Sequence, residues 1–131
     1  LKVIKKYHFY AAHRNEYLEN KCSNLHGHTY YVEVKLSIEE VDGRGITMLF
    51  EDIDNYIDPI IKEYDHITFI NSSDKELLNA LTPLGMKLKV FDFPTSAENI
   101  CKQLYTDIKN VGIPVVEVAL RETTSSVVVY P

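Results

Sequence analysis

The sequence predicts a single α+β domain over residues 1–131, an antiparallel sheet with two helices packed on one face. Three observations lead there. Residues 2–13 and 26–40 alternate apolar and polar side chains with the period of two that marks a half-buried strand. Residues 52–64 and 97–108 instead repeat apolar positions every three or four residues, as one face of a helix does. The order is therefore strands, helix, helix, strands, since two more apolar runs, 115–121 and 126–130, end the sequence.

Each element has its own justification. In 2–13, Val3, Tyr7, Phe9, Ala11 and His13 share the more apolar face, and His8 points the other way. Residues 14–25 are polar and unperiodic, so they form a loop, which carries Cys22. In 26–40, Tyr30, Val32, Val34, Leu36 and Ile38 share a face, and a strand beginning by His26 puts His26 and His28 on it too. Asp42-Gly43 and Gly45 predict a turn, with a third strand from Ile46 to Phe50. Asp52 is the expected cap of a helix running to about Tyr64. Pro59 conflicts with that pattern and predicts a kink or a restart.

Residues 67–94 are the least readable. Leu77, Leu78, Leu81 and Leu84 suggest a short helix after Ser72-Ser73-Asp74, and Lys87 to Phe91 a short extra strand. Thr95-Ser96-Ala97-Glu98 has the spacing of a capping box. The helix behind it turns Ala97, Ile100, Cys101, Leu104 and Ile108 inward, and Gly112 and Pro114 stop it. Glu122-Thr123-Thr124-Ser125 joins the last two strands.

Composition narrows the function. Apolar residues make up 45% and charged residues 25%, the balance of an ordinary globular domain. A net charge of -5 argues against nucleic acid or an anionic membrane as partner. No apolar run reaches membrane-spanning length, and no signal-peptide pattern is present. Two cysteines do not make a disulfide framework, which predicts a reducing, cytoplasmic setting.

The stretch Cys22-Ser-Asn-Leu-His26-Gly27-His28 concentrates the chemistry. Two histidines on neighbouring same-face positions can close on one metal ion, with Gly27 leaving the backbone room, and the parity of the first strand adds His13. Zinc suits such ligands, and three protein ligands leave a position open for chemistry. The residues alone also allow hydrogen-bonded core or turn histidines. Cys22 can be a proton-transfer group, a fourth ligand or an inert loop thiol.

Five motifs then resemble one family nearly end to end, the 6-pyruvoyl- and 6-carboxytetrahydropterin synthases of the tunnelling fold. They are Phe9-x-Ala11-x-His13-Arg14, Cys22-x-x-x-His26-Gly27-His28, Asp65-His66, Ser96-x-Glu98-Asn99 and Glu122-Thr123-x-Ser125. The three residues between Cys22 and His26 look like the bacterial carboxy-forming type. The resemblance implies a zinc lyase acting on 7,8-dihydroneopterin triphosphate to give 6-carboxytetrahydropterin, acetaldehyde and triphosphate, on the route to queuosine. The pyruvoyl-forming type, which only eliminates triphosphate, and a non-catalytic pterin- or metal-binding relative are the alternatives.

It further implies Zn²⁺ on His13, His26 and His28, proton transfer by Cys22, and a relay by His66 with Asp65 orienting it, where the residues alone favour a plain helix C-terminus. Glu122 becomes the pterin anchor, because one carboxylate can accept two parallel N–H donors. Glu98 is a second pterin contact or merely part of the cap. Thr123 and Arg14 are lesser candidates, for pterin and triphosphate respectively. Protomers are expected to join through their sheets into a barrel, a hexamer of two trimers, with the site between protomers. Leu49 stands where the family commonly has Asp, which predicts altered helix capping, and 67–94 is longer than in the shortest members, which predicts an added surface element.

Overall fold

The computed structural model describes residues 1–131. Lys2–His13 forms β1 and His26–Ser37 forms β2. They pair antiparallel in one unbroken ladder, from Lys2 opposite Ser37 to His13 opposite His26. Val115–Arg121, β5, continues the sheet on the far side of β2, and Val128–Tyr130, β6, closes that edge.

The other edge differs from the expectation. Ile67–Asn71 forms β3, which runs parallel to β1, and Leu88–Phe91 forms β4, parallel to β3. The sheet is thus mixed, in the order β4-β3-β1-β2-β5-β6. The sequence 67–71 hides its strand because Phe69, Ile70 and Asn71 are buried in succession, so no alternation shows. The segment 67–94 is accordingly more than a surface addition, because two of its strands extend the sheet.

No strand forms over residues 46–50. The turn itself is present, with the Gly45 N–H donating to the Asp42 carbonyl at 2.9 Å. Both edges of the β1–β2 pair are already taken, by β3 and β5, so a third sequential strand has nowhere to dock. Met48 packs against the core instead.

Two helices cover one face, as expected, and a third is short and peripheral. Phe50–Tyr64, α1, starts before Asp52 and has Leu49 as its N-cap, with no side-chain hydrogen bond there. Asp52 and Glu51 lie in the first turn, where the helix dipole favours acids. Pro59 sits inside an uninterrupted helix. The carbonyl it leaves unpaired belongs to Asn55, on the exposed side, where water can satisfy it. Lys75–Leu81, α2, is capped by Asp74. Ala97–Asn110, α3, is capped by Ser96, whose hydroxyl accepts from the Asn99 N–H at 3.3 Å. The cap is therefore one residue later than the box spacing suggests, and Glu98 is not its partner.

The core lies between the sheet and these two long helices. Phe9, Tyr30, Val32 and Leu36 meet Ile53, Ile57 and Tyr64 of α1 and Ile100, Leu104 and Ile108 of α3, all fully buried or nearly so. Each such residue contributes roughly 1.5–3 kcal/mol through burial. Phe9 stacks on Tyr30 at 4.9 Å between ring centroids, which fixes the two central strands face to face just below the histidines. Cys101 is buried on α3 as a small core residue.

Candidate metal centre and its adjoining cavity

The β1–β2 register builds the centre. His13 lies directly opposite His26, and His28 lies opposite Ala11, whose small side chain leaves space for the ring. All three imidazoles project to the helix-covered face at one end of the ladder. One nitrogen from each lies within 4.8 Å of the others, and the ring centroids are 4.8 to 5.3 Å apart.

Backbone carbonyls fix the tautomers. His13 Nδ1 donates to the Thr95 carbonyl at 2.6 Å, and His26 Nδ1 to the Asn24 carbonyl at 2.7 Å. Each Nε2 is thereby left with a free lone pair. The Nε2 atoms of His13 and His28 are buried and have no hydrogen-bond partner at all. Orphaned buried nitrogens are rare in folded proteins and ask for an explanation. A cation shared by the three supplies one, so the residues present fit a bound metal.

Electrostatics agree with that fit. Burial pushes His13 down to about 4, against the pull of its hydrogen bond to the Thr95 carbonyl, and neighbouring His26 and His28 lower it further. His28 is lowered as well, by burial and then by His26. Neutral imidazoles are the form that binds metals. Glu122 Oε1 comes within 3.4 Å of His13 Nε2 and Oε2 within 3.8 Å of His28 Nε2. With neutral rings these approaches are not ion pairs. Burial, with Glu98 adding to it and His26 opposing, raises Glu122 above the usual carboxylate range.

Glu122 also borders a cavity of about 530 Å³ whose lining includes Glu98, Thr123, Ser96, Asn15 and Tyr17. The sequence-derived substrate residues Glu122, Glu98 and Thr123 thus meet in one place beside the three histidines. Arg14 does not join them. Its guanidinium forms a two-pronged pair with Asp74, Nε to Oδ2 at 2.7 Å and Nη2 to Oδ1 at 2.6 Å, so it is committed to a carboxylate rather than open to a phosphate.

Cys22 sits half-buried in a single 3-10 turn, Lys21–Ser23, and is a free thiol. Its sulfur is not among the clustered ligand atoms, which argues against a fourth ligand. The Asn20 side chain accepts from the Cys22 N–H at 2.8 Å, and the Cys22 carbonyl accepts from the Asn15 N–H at 2.9 Å.

Asp65 and His66 are brought to each other but not to the histidine cluster of their own protomer. Asp65 caps the end of α1, and His66 takes the left-handed conformation at φ 55°. Together they clasp Tyr10 of β1. Asp65 Oδ1 accepts from its N–H at 2.9 Å, and the His66 N–H donates to its carbonyl at 2.6 Å. His66 Nδ1 meets Asp65 Oδ2 at 2.7 Å, and the ring lies against Tyr10 on the helix-free face. The bond from Tyr10, with the adjacent His66 adding to it, holds Asp65 below the usual carboxylate range.

Two orienting groups escape sequence reasoning altogether. The Thr95 and Asn24 carbonyls carry no side-chain signal, because any residue supplies a carbonyl. Tyr30 hydroxyl, 3.5 Å from Glu122 Oε1, could have been found, since it lies on the same strand face two residues beyond His28.

A family model described as 6-pyruvoyl tetrahydropterin synthase matches residues 2–131. A 6-carboxy-5,6,7,8-tetrahydropterin synthase of Aquifex aeolicus is 32% identical over 123 residues, spanning 85% of this chain and 76% of that protein. One of the same name from Rickettsia conorii is 30% identical over 110 residues, spanning 82% and 80%. Among solved structures, an uncharacterized Wolinella succinogenes protein superposes with a TM-score of 0.80 at 22% identity, over 99% of this chain and 97% of that one. The 6-pyruvoyl tetrahydropterin synthase of Caenorhabditis elegans does so at 0.72 and 23%, over 99% and 94%.

Proposed function

The chain belongs to the 6-pyruvoyl tetrahydropterin synthase family and has its tunnelling fold, and on that premise we propose that it is a zinc-dependent lyase. Its reaction would convert 7,8-dihydroneopterin triphosphate to 6-carboxy-5,6,7,8-tetrahydropterin with release of acetaldehyde and triphosphate, the product named for its curated relatives. The observation that carries this reading is the pair of partnerless Nε2 atoms of His13 and His28 beside the Glu122 cavity.

His13, His26 and His28 would hold Zn²⁺, leaving a side open to substrate. When bound, the metal supplies a Lewis acid for the hydroxyls on the substrate's C6 substituent. Glu122 accepts two N–H donors from the pterin's pyrimidine edge, a directional fork, with Glu98 and Thr123 lining the same cavity. The cavity is large enough for a bicyclic ring system. Cys22, on its capped turn, acts as general base and takes a proton from a hydroxyl-bearing carbon of that substituent. His66, its Nδ1 held by Asp65, offers Nε2 for proton return.

That last role needs a second protomer, because His66 faces away from the histidines of its own. The helix-free sheet face carries exposed Ile4, Tyr10, Tyr31 and Val129, apolar surface suited to closure against further copies. A hexamer built from two trimers, working in the cytoplasm, completes the reading.

Incubation of the zinc-loaded protein with 7,8-dihydroneopterin triphosphate, followed by mass spectrometry, tests it. Acetaldehyde and 6-carboxytetrahydropterin are expected. Triphosphate without acetaldehyde would assign the pyruvoyl-forming reaction instead. Pterin binding without turnover would make the protein a binding relative.

A further inference from the structure

The loop that carries Cys22 has an unexplained anchor. Residues 71–74, the turn from β3 into α2, are sewn to the first residues after His13 by side chains. Arg14 pairs in a fork with Asp74, Asn71 Nδ2 donates to Glu16 Oε1 at 2.9 Å, and the Tyr17 hydroxyl lies 3.1 Å from Ser73 Oγ. The Tyr17–Ser73 contact is exposed, whereas Asp74 and Asn71 are buried, at 6% and 5% exposure, so the Arg14–Asp74 and Glu16–Asn71 contacts are part-buried. Removing one partner from such a contact costs far more than at a solvated pair.

Asn15 stands between two of the anchored residues. Its N–H donates to the Cys22 carbonyl at 2.9 Å, and its own carbonyl accepts from the Leu18 N–H at 3.0 Å. Both sequence neighbours of the residue that holds Cys22 are therefore fixed by the β3–α2 turn. From the other side, the Cys22 turn ends at Asn24, whose carbonyl orients the His26 ring. Apart from these bonds, the only other side-chain hydrogen bond that ties the 14–23 stretch to the body of the fold is the long one from the Thr95 hydroxyl to the Arg14 carbonyl, at 3.5 Å.

We propose that Asp74, acting through Arg14, is a positioning residue that sets where the Cys22 turn sits relative to the three histidines. The peripheral segment 72–84 is then a brace for the reaction loop. This rests on the proton-transfer role given to Cys22 above. It also accounts for Arg14, which the family resemblance made a lesser candidate for triphosphate and whose two prongs serve a carboxylate here.

Asp74→Asn is the decisive variant. Asn caps a helix as well as Asp does, so the bond to the Leu77 N–H is kept while the charge and one prong are lost. Two readouts are taken. The first is steady-state turnover of 7,8-dihydroneopterin triphosphate by zinc-loaded protein. The second is the rate of Cys22 alkylation by iodoacetamide in metal-free protein, with buried Cys101 as internal reference.

Expected are a fall in kcat of about 10- to 100-fold with KM changed by less than about 2-fold, full metal content, and Cys22 alkylation faster by about 3-fold or more. Asp74→Glu, which keeps the charge, should recover part of both. Arg14→Lys, which keeps a cation but not the fork, should move both in the same direction and carries the test if Asp74→Asn does not fold. Wild-type alkylation in Asp74→Asn, or altered alkylation with kcat intact, overturns the proposal. Should the wild type fail to turn over the pterin at all, the lyase reading falls, and unchanged or accelerated alkylation still decides whether the brace exists.

Discussion

Four of the five histidines divide between two sites of opposite character. His13, His26 and His28 end the core-facing rows of two paired strands and are wholly or partly buried, and the Nε2 atoms of His13 and His28 have no protein partner. His66 is 76% exposed in its side chain, sits on strained left-handed backbone and shares its ring proton with a carboxylate. The first arrangement desolvates His13 and His28 and favours their neutral form, which suits a cation. The second keeps imidazole solvated and oriented, which suits proton exchange with something arriving from outside. Backbone carbonyls orient the buried rings, whereas a neighbouring side chain orients the exposed one. The same residue type thus stands in surroundings suited to holding a cation and in surroundings suited to proton exchange.

Substitutions should separate the two sites. His26→Ala removes one of three ligands, so metal content should drop to near zero and turnover with it, read by metal analysis of the purified protein. Full metal occupancy would break the ligand set. Cys22→Ala should keep metal and pterin binding while turnover falls by about 10²–10⁴-fold, the range of a lost general base. His66→Ala should also keep the metal, with turnover down by about 10²-fold, the low end of that range. Inactive His66→Ala and inactive His26→Ala protomers, mixed and reassembled, should regain part of the activity if the pair serves a neighbour's centre. No regain on mixing removes the intersubunit role.

The contrast also explains what the sequence disclosed. The histidine cluster was legible because parity in two alternating strands fixes which residues share a face, and an unbroken ladder keeps that parity to its last pair, His13 against His26. That Glu122, Glu98 and Thr123 meet at one cavity was legible only through family resemblance, since a turn glutamate has no pattern of its own. β3 was not legible, because a strand buried on both faces does not alternate. Without β3, alternation alone points to an antiparallel sheet and to a strand at 46–50 that in the fold has no edge to join. The α3 cap lies one residue off the expected place because Thr95 and Ser96 are both good caps. Which of them serves depends on Thr95 being buried with its carbonyl turned to His13.

Acid should destabilise the metal-free protein through the buried cluster. With metal removed by a chelator, His13 titrates near 4 in the folded protein and near its ordinary 6.5 when unfolded. Between those values the unfolded state binds more protons, so stability falls as pH drops from about 6.5 to about 4 and changes no further below that on this group's account. The contribution of His13 is at most about 3 kcal/mol. Urea unfolding of the metal-free protein at stepped pH checks it, and His13→Gln should flatten the slope over that window.

The smallest expected effect concerns the residue between two of the ligands. A glycine in His26-Gly27-His28 suggests that the backbone needs room, yet the structure gives little support for that. Gly27 has no positive φ, and a Cβ there would meet the Ala11 carbonyl oxygen at 3.4 Å, the near edge of ordinary contact. It would also project from the exposed face, opposite the imidazoles. Gly27→Ala should therefore keep full metal content. Its stability should stay within about 1 kcal/mol of wild type, with any gain coming from a less flexible unfolded state. If metal occupancy falls instead, the ligand strand must move closer to β1 on loading than its ladder now shows, and the glycine is there for the metal-bound state.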